Sequence, residues 1–209
     1  MSTLLYIKAS PMGGLSYSIA AADAFIESYK KSHPADKVNI IDLFRMDMPA
    51  FDFAAASAKY KIIHGQPHSR QDLEVWGRIV SAAEEFAAAD KYVFAVPMWN
   101  FSIPYRLKQY IDIIVQPGLT FTVGANGYEG LVKGKPAFVI YASGGEYPEG
   151  SPAEAFDQQK KYLRQILGFM GFTDISSIVV AGTLAGGAEA VRKRADEAIA
   201  KARQMAGEF

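Results

Sequence analysis

Short apolar runs alternate along this chain with longer stretches in which apolar residues return every three or four positions. Leu4 to Ile7, led by Thr3, is a continuous apolar run bounded by Ser10-Pro11 and Gly13-Gly14. A run without polar alternation fits a strand covered on both faces. From about Tyr17 to Lys31, Ile19, Ala20, Ala22, Phe25, Ile26 and Tyr29 form a helical stripe. Ser16 is placed to cap that helix, and Lys30, Lys31 and His33 suit its negative end before Pro34 stops it. Val38 to Leu43 predicts a second strand.

Residues 44–68 are less regular. Met48 to Phe53 reads as loop, Ala54 to Ile62 as a short helix, and Gly65-Gln66-Pro67 as a break. Connections of this length often serve as lids or partner-facing arms. A long helix follows from about Ser69 to Ala88, with Leu73, Trp76, Ile79, Val80, Ala83 and Phe86 on its buried side. Within the run from Lys91, Tyr92 to Val96 predicts a third strand, and Pro104 to Val115 a helix opened by its proline. Gly124-Ala125-Asn126-Gly127 is a turn signal, its Asn-Gly suited to a type I′ hairpin. Beyond it come a fourth strand at Ala137 to Tyr141, a helix at Ala153 to Gly168, a fifth strand at Ile175 to Ala181 and a helix at Glu189 to Met205.

Strands that alternate with helices imply an α/β fold: a five-stranded parallel sheet with helices on both faces, a three-layer sandwich. The order 2-1-3-4-5 suits five strands and puts a topological switch point between the first and third. No internal repeat or linker-like composition divides residues 1–209, so one domain is expected.

Composition removes several function classes. Lys plus Arg and Asp plus Glu number 22 each, so no net field draws the chain to nucleic acid or an anionic membrane. Cysteine is absent, which excludes disulfides, thiolate nucleophiles and cysteine-bound metals. The N-terminus has no basic segment and no apolar run of signal-peptide length, and no window approaches a membrane span. A cytoplasmic setting is therefore expected. His64 and His68 are four apart, but Gly65 and Pro67 between them spoil the helical geometry of a metal pair, so no metal site is expected.

Three strand ends carry the candidate chemistry. The first loop, Ser10-Pro11-Met12-Gly13-Gly14-Leu15-Ser16-Tyr17-Ser18, opens a helix, whose free N–H groups favour an anion. It offers hydroxyls but no lysine or arginine, which suits a monophosphate better than a triphosphate. The second, Pro97-Met98-Trp99-Asn100-Phe101, mixes apolar faces with an amide, as a planar heterocycle with a polar rim requires. The third, Ala142-Ser143-Gly144-Gly145-Glu146-Tyr147-Pro148, lets backbone approach a ligand closely. Alone, the first loop is equally well a capped helix start, the second reads better as an aromatic loop packed on the core, and the third is a generic turn; their meeting at one switch point is what argues for a site.

With these motifs in hand, the chain resembles the FMN-dependent NADH:quinone oxidoreductases, or azoreductases, of the flavodoxin-like superfamily. The resemblance covers almost the whole length. It rests on the serine-rich first loop, on Pro97 to Phe101 with Leu107-Lys108-x-x-Ile111-Asp112, on Gly118-Leu119-Thr120-Phe121, on Gly127-x-Glu129-Gly130-Leu131 and on Leu167-Gly168-Phe169-x-Gly171. It implies a flavodoxin-like fold with one FMN per subunit. Ser10, Ser16, Tyr17 and Ser18 would bind the phosphate, and Pro97, Met98, Trp99, Asn100 and Phe101 would border the isoalloxazine. Ala142, Ser143, Gly144 and Gly145 would contact its far side, with Phe121 and Tyr147 as substrate-pocket candidates. It also implies a homodimer with active sites at the interface, which would give the 44–68 arm and Phe121 a role there.

Two positions depart from that pattern. Trp99 stands where relatives usually have tyrosine, and Ala142-Ser143 where they have Ser-Arg, which leaves the NADH or NADPH preference open. The family favours NADH. The implied reaction is ping-pong electron transfer from NAD(P)H to quinones and azo compounds, with the chemistry carried by FMN and no protein nucleophile. A flavodoxin-type electron carrier and a non-catalytic FMN-binding protein are the alternatives; a serine hydrolase would need a G-x-S-x-G elbow that the chain lacks.

Overall fold

The computed structural model describes residues 1–125 and 127–209. Its first half runs β1 (Thr3–Lys8), α1 (Tyr17–Ser32), β2 (Lys37–Asp42), α2 (Phe53–Ile63), α3 (Arg70–Ala88), β3 (Lys91–Pro97) and α4 (Tyr105–Ile114). There follow β4 (Phe121–Gly124), β5 (Gly127–Gly130), β6 (Ala137–Ala142), α5 (Gln158–Met170), β7 (Ile175–Val180) and α6 (Gly187–Met205). Five strands form one parallel sheet in the order β2-β1-β3-β6-β7, which is 2-1-3-4-5 when only its own strands are counted.

Successive side chains of a strand point to opposite faces, so each apolar run feeds two cores. Leu5, Ile7, Phe94, Val96, Val139 and Tyr141 pack with Ile79 of α3, Leu107 of α4 and Leu163 of α5. Leu4, Tyr6, Val93, Ala95, Phe138 and Ile140 pack with Phe25 of α1 and Ala202 of α6. That produces three layers.

The 44–68 arm is tied down at both ends. Asp52 caps α2 by accepting from Ala55 N, and Ala55 and Ala58 enter the core. Arg106 of α4 donates to the carbonyls of Leu43 and Met46, at 2.7 and 3.0 Å, and Gln109 donates to that of Pro49. Phe51, Phe53, Tyr60 and Ile63 remain exposed. Past the arm, Ser69 and Asp72 close a reciprocal capping box at the start of α3.

Two expectations shift. The helix expected over 153–168 is a 3₁₀ turn, Pro152–Phe156, followed by α5. Asp157 separates the two, because its carboxylate accepts from Lys160 N as a cap rather than sitting inside a helix. Ser16 does not cap α1; its hydroxyl meets that of Ser18 at 3.1 Å. The expected hairpin forms from β4 and β5, although Asn126 of its turn lies outside the described residues.

The hairpin explains two of the glycine motifs. Gly130 lies against the backbone at the end of α5: an added Cβ would meet Gly171 N and the Met170 carbonyl carbon at 2.3 Å. Gly171, at φ 109°, ends α5, with its N–H bonded to Gly168 and that of Phe172 to Leu167. Leu107-Lys108-x-x-Ile111-Asp112 is likewise structural in part. Leu107 and Ile111 face the core, and Lys108 pairs with Asp112 on the surface.

Candidate functional site

β1, β3 and β6 are neighbours in the sheet, so their carboxyl ends bring the three candidate loops together at the switch point. In the loop after β1, Ser10, Ser16 and Ser18 are buried. Ser10 Oγ accepts from Met12 N at 3.3 Å. The start of α1 has no side-chain cap and no acidic residue in its first turn, so its dipole and N–H groups face outward uncompensated. Lys8, the cation just before this loop, is already paired with Asp23 at 2.8 Å. The loop is thus a neutral, hydroxyl-rich cradle for a small anion. Tyr17 lies on its outer side, half in a cleft of about 460 Å³ shared with Thr183, Leu184 and Arg192.

The loop after β3 is a tight turn. Trp99 and Ser102 exchange both backbone hydrogen bonds at 2.9 Å, and Asn100 and Phe101 between them have φ of 47° and 68°. Two left-handed central residues are what a type I′ turn demands, and glycine normally supplies the second. Phenylalanine there costs about 1–2 kcal/mol in strain. The surroundings hold it: Phe101 O accepts from Gln158 N at 3.0 Å, and its ring lies 5.4 Å from that of Phe156 and 6.3 Å from that of Tyr147. Strain maintained in this way is common where a ligand is gripped. Trp99 packs between Phe44 and Tyr105, with ring centroids at 5.8 and 6.1 Å, and lines a cleft of about 430 Å³ with Lys108 and Tyr162.

Beneath this turn, Gln159 Nε2 donates to Val96 O at 3.0 Å inside the core, so α5 and β3 are locked where they reach the site. Burial pushes the Tyr141 hydroxyl of β6 well above its usual pKa, with Asp157 adding in the same direction. That hydroxyl therefore stays neutral and is no proton donor at ordinary pH.

In the loop after β6, Met98 N bonds to Ala142 O at 2.7 Å, which joins the second and third loops. The Ala142 side chain points into the core and the Ser143 hydroxyl donates to Gly145 O. Neither side chain is offered to the site, and the Ala142 carbonyl and both the N–H and carbonyl of Ser143 are already bonded within the protein. A Cβ at Gly145 would meet the Tyr147 hydroxyl at 3.0 Å, so Tyr147 lies over this loop.

The chain matches the family model described as a flavodoxin-like fold over residues 2–206. A curated FMN-dependent NADH:quinone oxidoreductase of Nitratidesulfovibrio vulgaris is 53% identical over 209 residues, covering all of both chains. The chain belongs to the FMN-dependent NADH:quinone oxidoreductase family. A namesake from Desulfotalea psychrophila is 44% identical over 98% of each chain. Among solved structures, an azoreductase of Bacillus anthracis str. Sterne superposes with a TM-score of 0.92 at 28% identity, covering both chains fully. An FMN-dependent NADH-azoreductase of Bacillus anthracis str. Ames Ancestor, solved in complex with FMN, gives 0.89 at 31% identity over 99% of this chain and 100% of the other.

For a member of this family the residues at hand suit FMN. The uncapped helix start and buried hydroxyls match one phosphate, the strained aromatic turn matches a flat ring edge, and the third loop offers backbone. Ser10, Ser16, Met98 to Phe101 and Ser143 to Gly145 lie on these three loops, and Tyr17, Ser18, Pro97 and Ala142 on the terminal residues of the elements that flank them. Phe121 does not join them within one chain. It packs on Phe169 at 4.8 Å, near the far end of α5, roughly 16 Å along the helix from the site at 1.5 Å per residue.

Sequence reasoning passed over Gln159, Arg106 and the segment after β7. Gln159 reaches a partner 63 residues away, and no local pattern signals that. Among the described residues no group of acidic, histidine or cysteine side chains is arranged to hold a metal. His64 Nδ1 instead meets its own helix at Tyr60 O. Among the described residues no helix is long and apolar enough to cross a membrane.

Proposed function

We propose that this chain is an FMN-dependent oxidoreductase that passes electrons from NADH to quinones and aromatic azo compounds. The observation that carries the reading is the junction at the ends of β1, β3 and β6, neighbouring strands that gather an uncapped hydroxyl cradle, a strained aromatic turn and a glycine loop. The 53% identical relative named for this activity supports it.

Bound FMN would supply the hydride-accepting and electron-donating ring that the side chains do not provide. Ser10, Ser16 and Ser18, with the first N–H groups of α1, hold the phosphate; Tyr17 borders it. Pro97 to Phe101 set the ring edge, and Ala142 to Gly145 set the opposite rim through backbone. The rigid Trp99–Ser102 turn keeps that edge in place between half-reactions, when donor and acceptor exchange places. Use of one opening by both substrates implies a ping-pong cycle, with Tyr147 beside the opening as a substrate contact.

The chain acts as one domain over residues 1–209 and pairs as a homodimer, in which Phe121 and the exposed aromatics of the arm from a second copy would roof the site. It works in the cytoplasm, on small molecules, without nucleic acid or membrane. NADH is the preferred donor, a reading supported by the activity for which the 53% identical relative is named.

The test is the visible spectrum of purified protein after incubation with FMN, then anaerobic titration with NADH and with NADPH. Flavin absorbance that bleaches with NADH first, parallel initial-rate lines with a quinone, and a dimer by sedimentation are expected. A protein that takes up no FMN overturns the reading; intersecting lines overturn the ping-pong cycle, and a monomer with full activity overturns the shared site.

A further inference from the structure

The carbonyls of the third loop are all held from one side. Ser143 O accepts from Thr183 N at 3.0 Å and from Thr183 Oγ1 at 3.2 Å. Gly144 O accepts from Leu184 N at 3.2 Å, and Gly145 O from Gly182 N at 3.1 Å. The peptide bonds of the described residues are trans, so each N–H here points opposite to the carbonyl of its own peptide unit. The N–H groups of Gly144, Gly145 and Glu146 are therefore turned away from the segment after β7. Because β6 lies between β7 and β3, that direction is toward the turn after β3. Among the described residues none of these three N–H groups has a protein acceptor.

The donor segment 182–184 is itself clamped by one side chain. Arg194 of α6 donates through one guanidinium nitrogen to Gly182 O and to Ala185 O, each at 2.8 Å. Its other terminal nitrogen stands 3.4 Å from the Glu146 carboxylate, at the end of the N–H row. Gly182 is buried with φ 67°, and a Cβ there would meet Glu146 Oε1 at 2.7 Å and Arg194 at 3.1 Å. Glycine lets arginine and glutamate close over this point.

We propose that Arg194 is a positioning residue for the cofactor site: by holding the 182–185 turn it fixes the carbonyls of Ser143 to Gly145 on one side. The N–H groups of Gly144, Gly145 and Glu146 are thereby fixed as a row of donors on the other. Preorganised donors favour charge where it develops, so the row stabilises the more negative, reduced form of a bound flavin. This rests on the FMN reading above, but the clamp is a property of the protein alone and can be measured without the cofactor.

Arg194→Met and Arg194→Lys serve as the variants. Lysine keeps the charge but lacks the fork that spans two carbonyls and a carboxylate. In the apo protein, exchange of the Gly182, Thr183 and Leu184 amides should quicken at least about tenfold in both. With FMN bound, both should favour reduced over oxidised flavin about tenfold less, a midpoint potential about 30 mV lower for a two-electron couple. Unchanged exchange and potential in Arg194→Met overturn the proposal. So does a potential restored by lysine, which would make the effect one of charge rather than position. A wild-type protein that binds no FMN sinks the functional reading while the exchange comparison still decides the clamp. If Arg194→Met does not fold, Thr183→Val, which deletes the second bond to Ser143 O, carries the same comparison.

Discussion

Replacing Gly130 with alanine tests the contact that places the β4–β5 hairpin. The new methyl carbon would start 2.3 Å from Gly171 N and from the Met170 carbonyl carbon, against about 3.4 Å for ordinary contact, so two backbones must part by about 1.1 Å. Neither neighbour is a flexible side chain that could swing aside. Overpacking of this kind costs about 1–3 kcal/mol. The opening also strains the hydrogen bond from Val132 N to Met170 O, now 2.8 Å, worth about 1 kcal/mol more. A total of about 2–4 kcal/mol lowers the melting temperature of a chain of this size by roughly 5–15 °C. Gly77→Ala is the control. It lies in α3 with no atom within 4 Å of the added carbon and no positive φ, so alanine there should stabilise by about 0.5–1 kcal/mol. Differential scanning calorimetry of both variants without cofactor gives the answer. If Gly130→Ala melts within about 1 °C of the parent, or if the two variants shift in the same direction, the close-contact argument is wrong.

Other consequences can be checked in the same preparations. Ser16→Ala should cost no more than about 1 kcal/mol of stability, because the hydroxyl does not cap α1 and gives up only its bond to Ser18, yet weaken FMN binding by roughly tenfold or more as a bond to a charged group is lost; a stability loss with unchanged FMN affinity would return Ser16 to a purely structural role. Gln159→Leu deletes the buried bond to Val96 O and should destabilise by about 1–3 kcal/mol in urea denaturation, and a shift below about 0.5 kcal/mol would count against it. The Ser69 backbone N–H and hydroxyl, then Lys61, hold the Asp72 carboxyl at about 2, below its usual 3.8. A depressed carboxylate stabilises the fold above the unfolded value and loses that stabilisation as pH falls through the folded one. The stability gap between the parent and Asp72→Asn should therefore be constant from pH 7 to about 4 and close towards pH 2; a gap independent of pH refutes the assignment. Trp99→Tyr trims the ring packed on Phe44 and Tyr105 and should change FMN affinity by about threefold, from roughly 30 Å² of lost apolar contact. No change in affinity or acceptor preference would make Trp99 simple packing.

Hydrophobic periodicity is local, and what it encodes survived folding. The strands at Leu4, Val93 and Val139 read as buried because both faces are apolar, and each indeed supplies two cores. The loops were legible only in combination: taken singly, Ser10 to Ser18 and Pro97 to Phe101 read as a helix start and a packed aromatic loop, and the strand order is what sets them side by side. The 44–68 arm was harder, because its fixed points are Arg106 and Gln109, about 60 residues on, acting on backbone carbonyls that carry no residue identity. Asp157 could not be told from a helix-interior residue until its carboxylate was seen to cap Lys160 N.

The chain by itself therefore determined the alternation of strands and helices, the buried faces, and which loop chemistries could meet. Tertiary structure decided what those loops present. It withdrew Ser16 from capping, forced Phe101 into a left-handed turn against Phe156, and turned the Ala142 side chain inward. It also brought Arg194 to carbonyls some 10 residues away, and through them to the loop after β6. The difference has one physical cause: periodic burial depends on neighbours along the chain, whereas the direction of a single N–H or hydroxyl depends on partners that only the folded sheet brings within 3 Å.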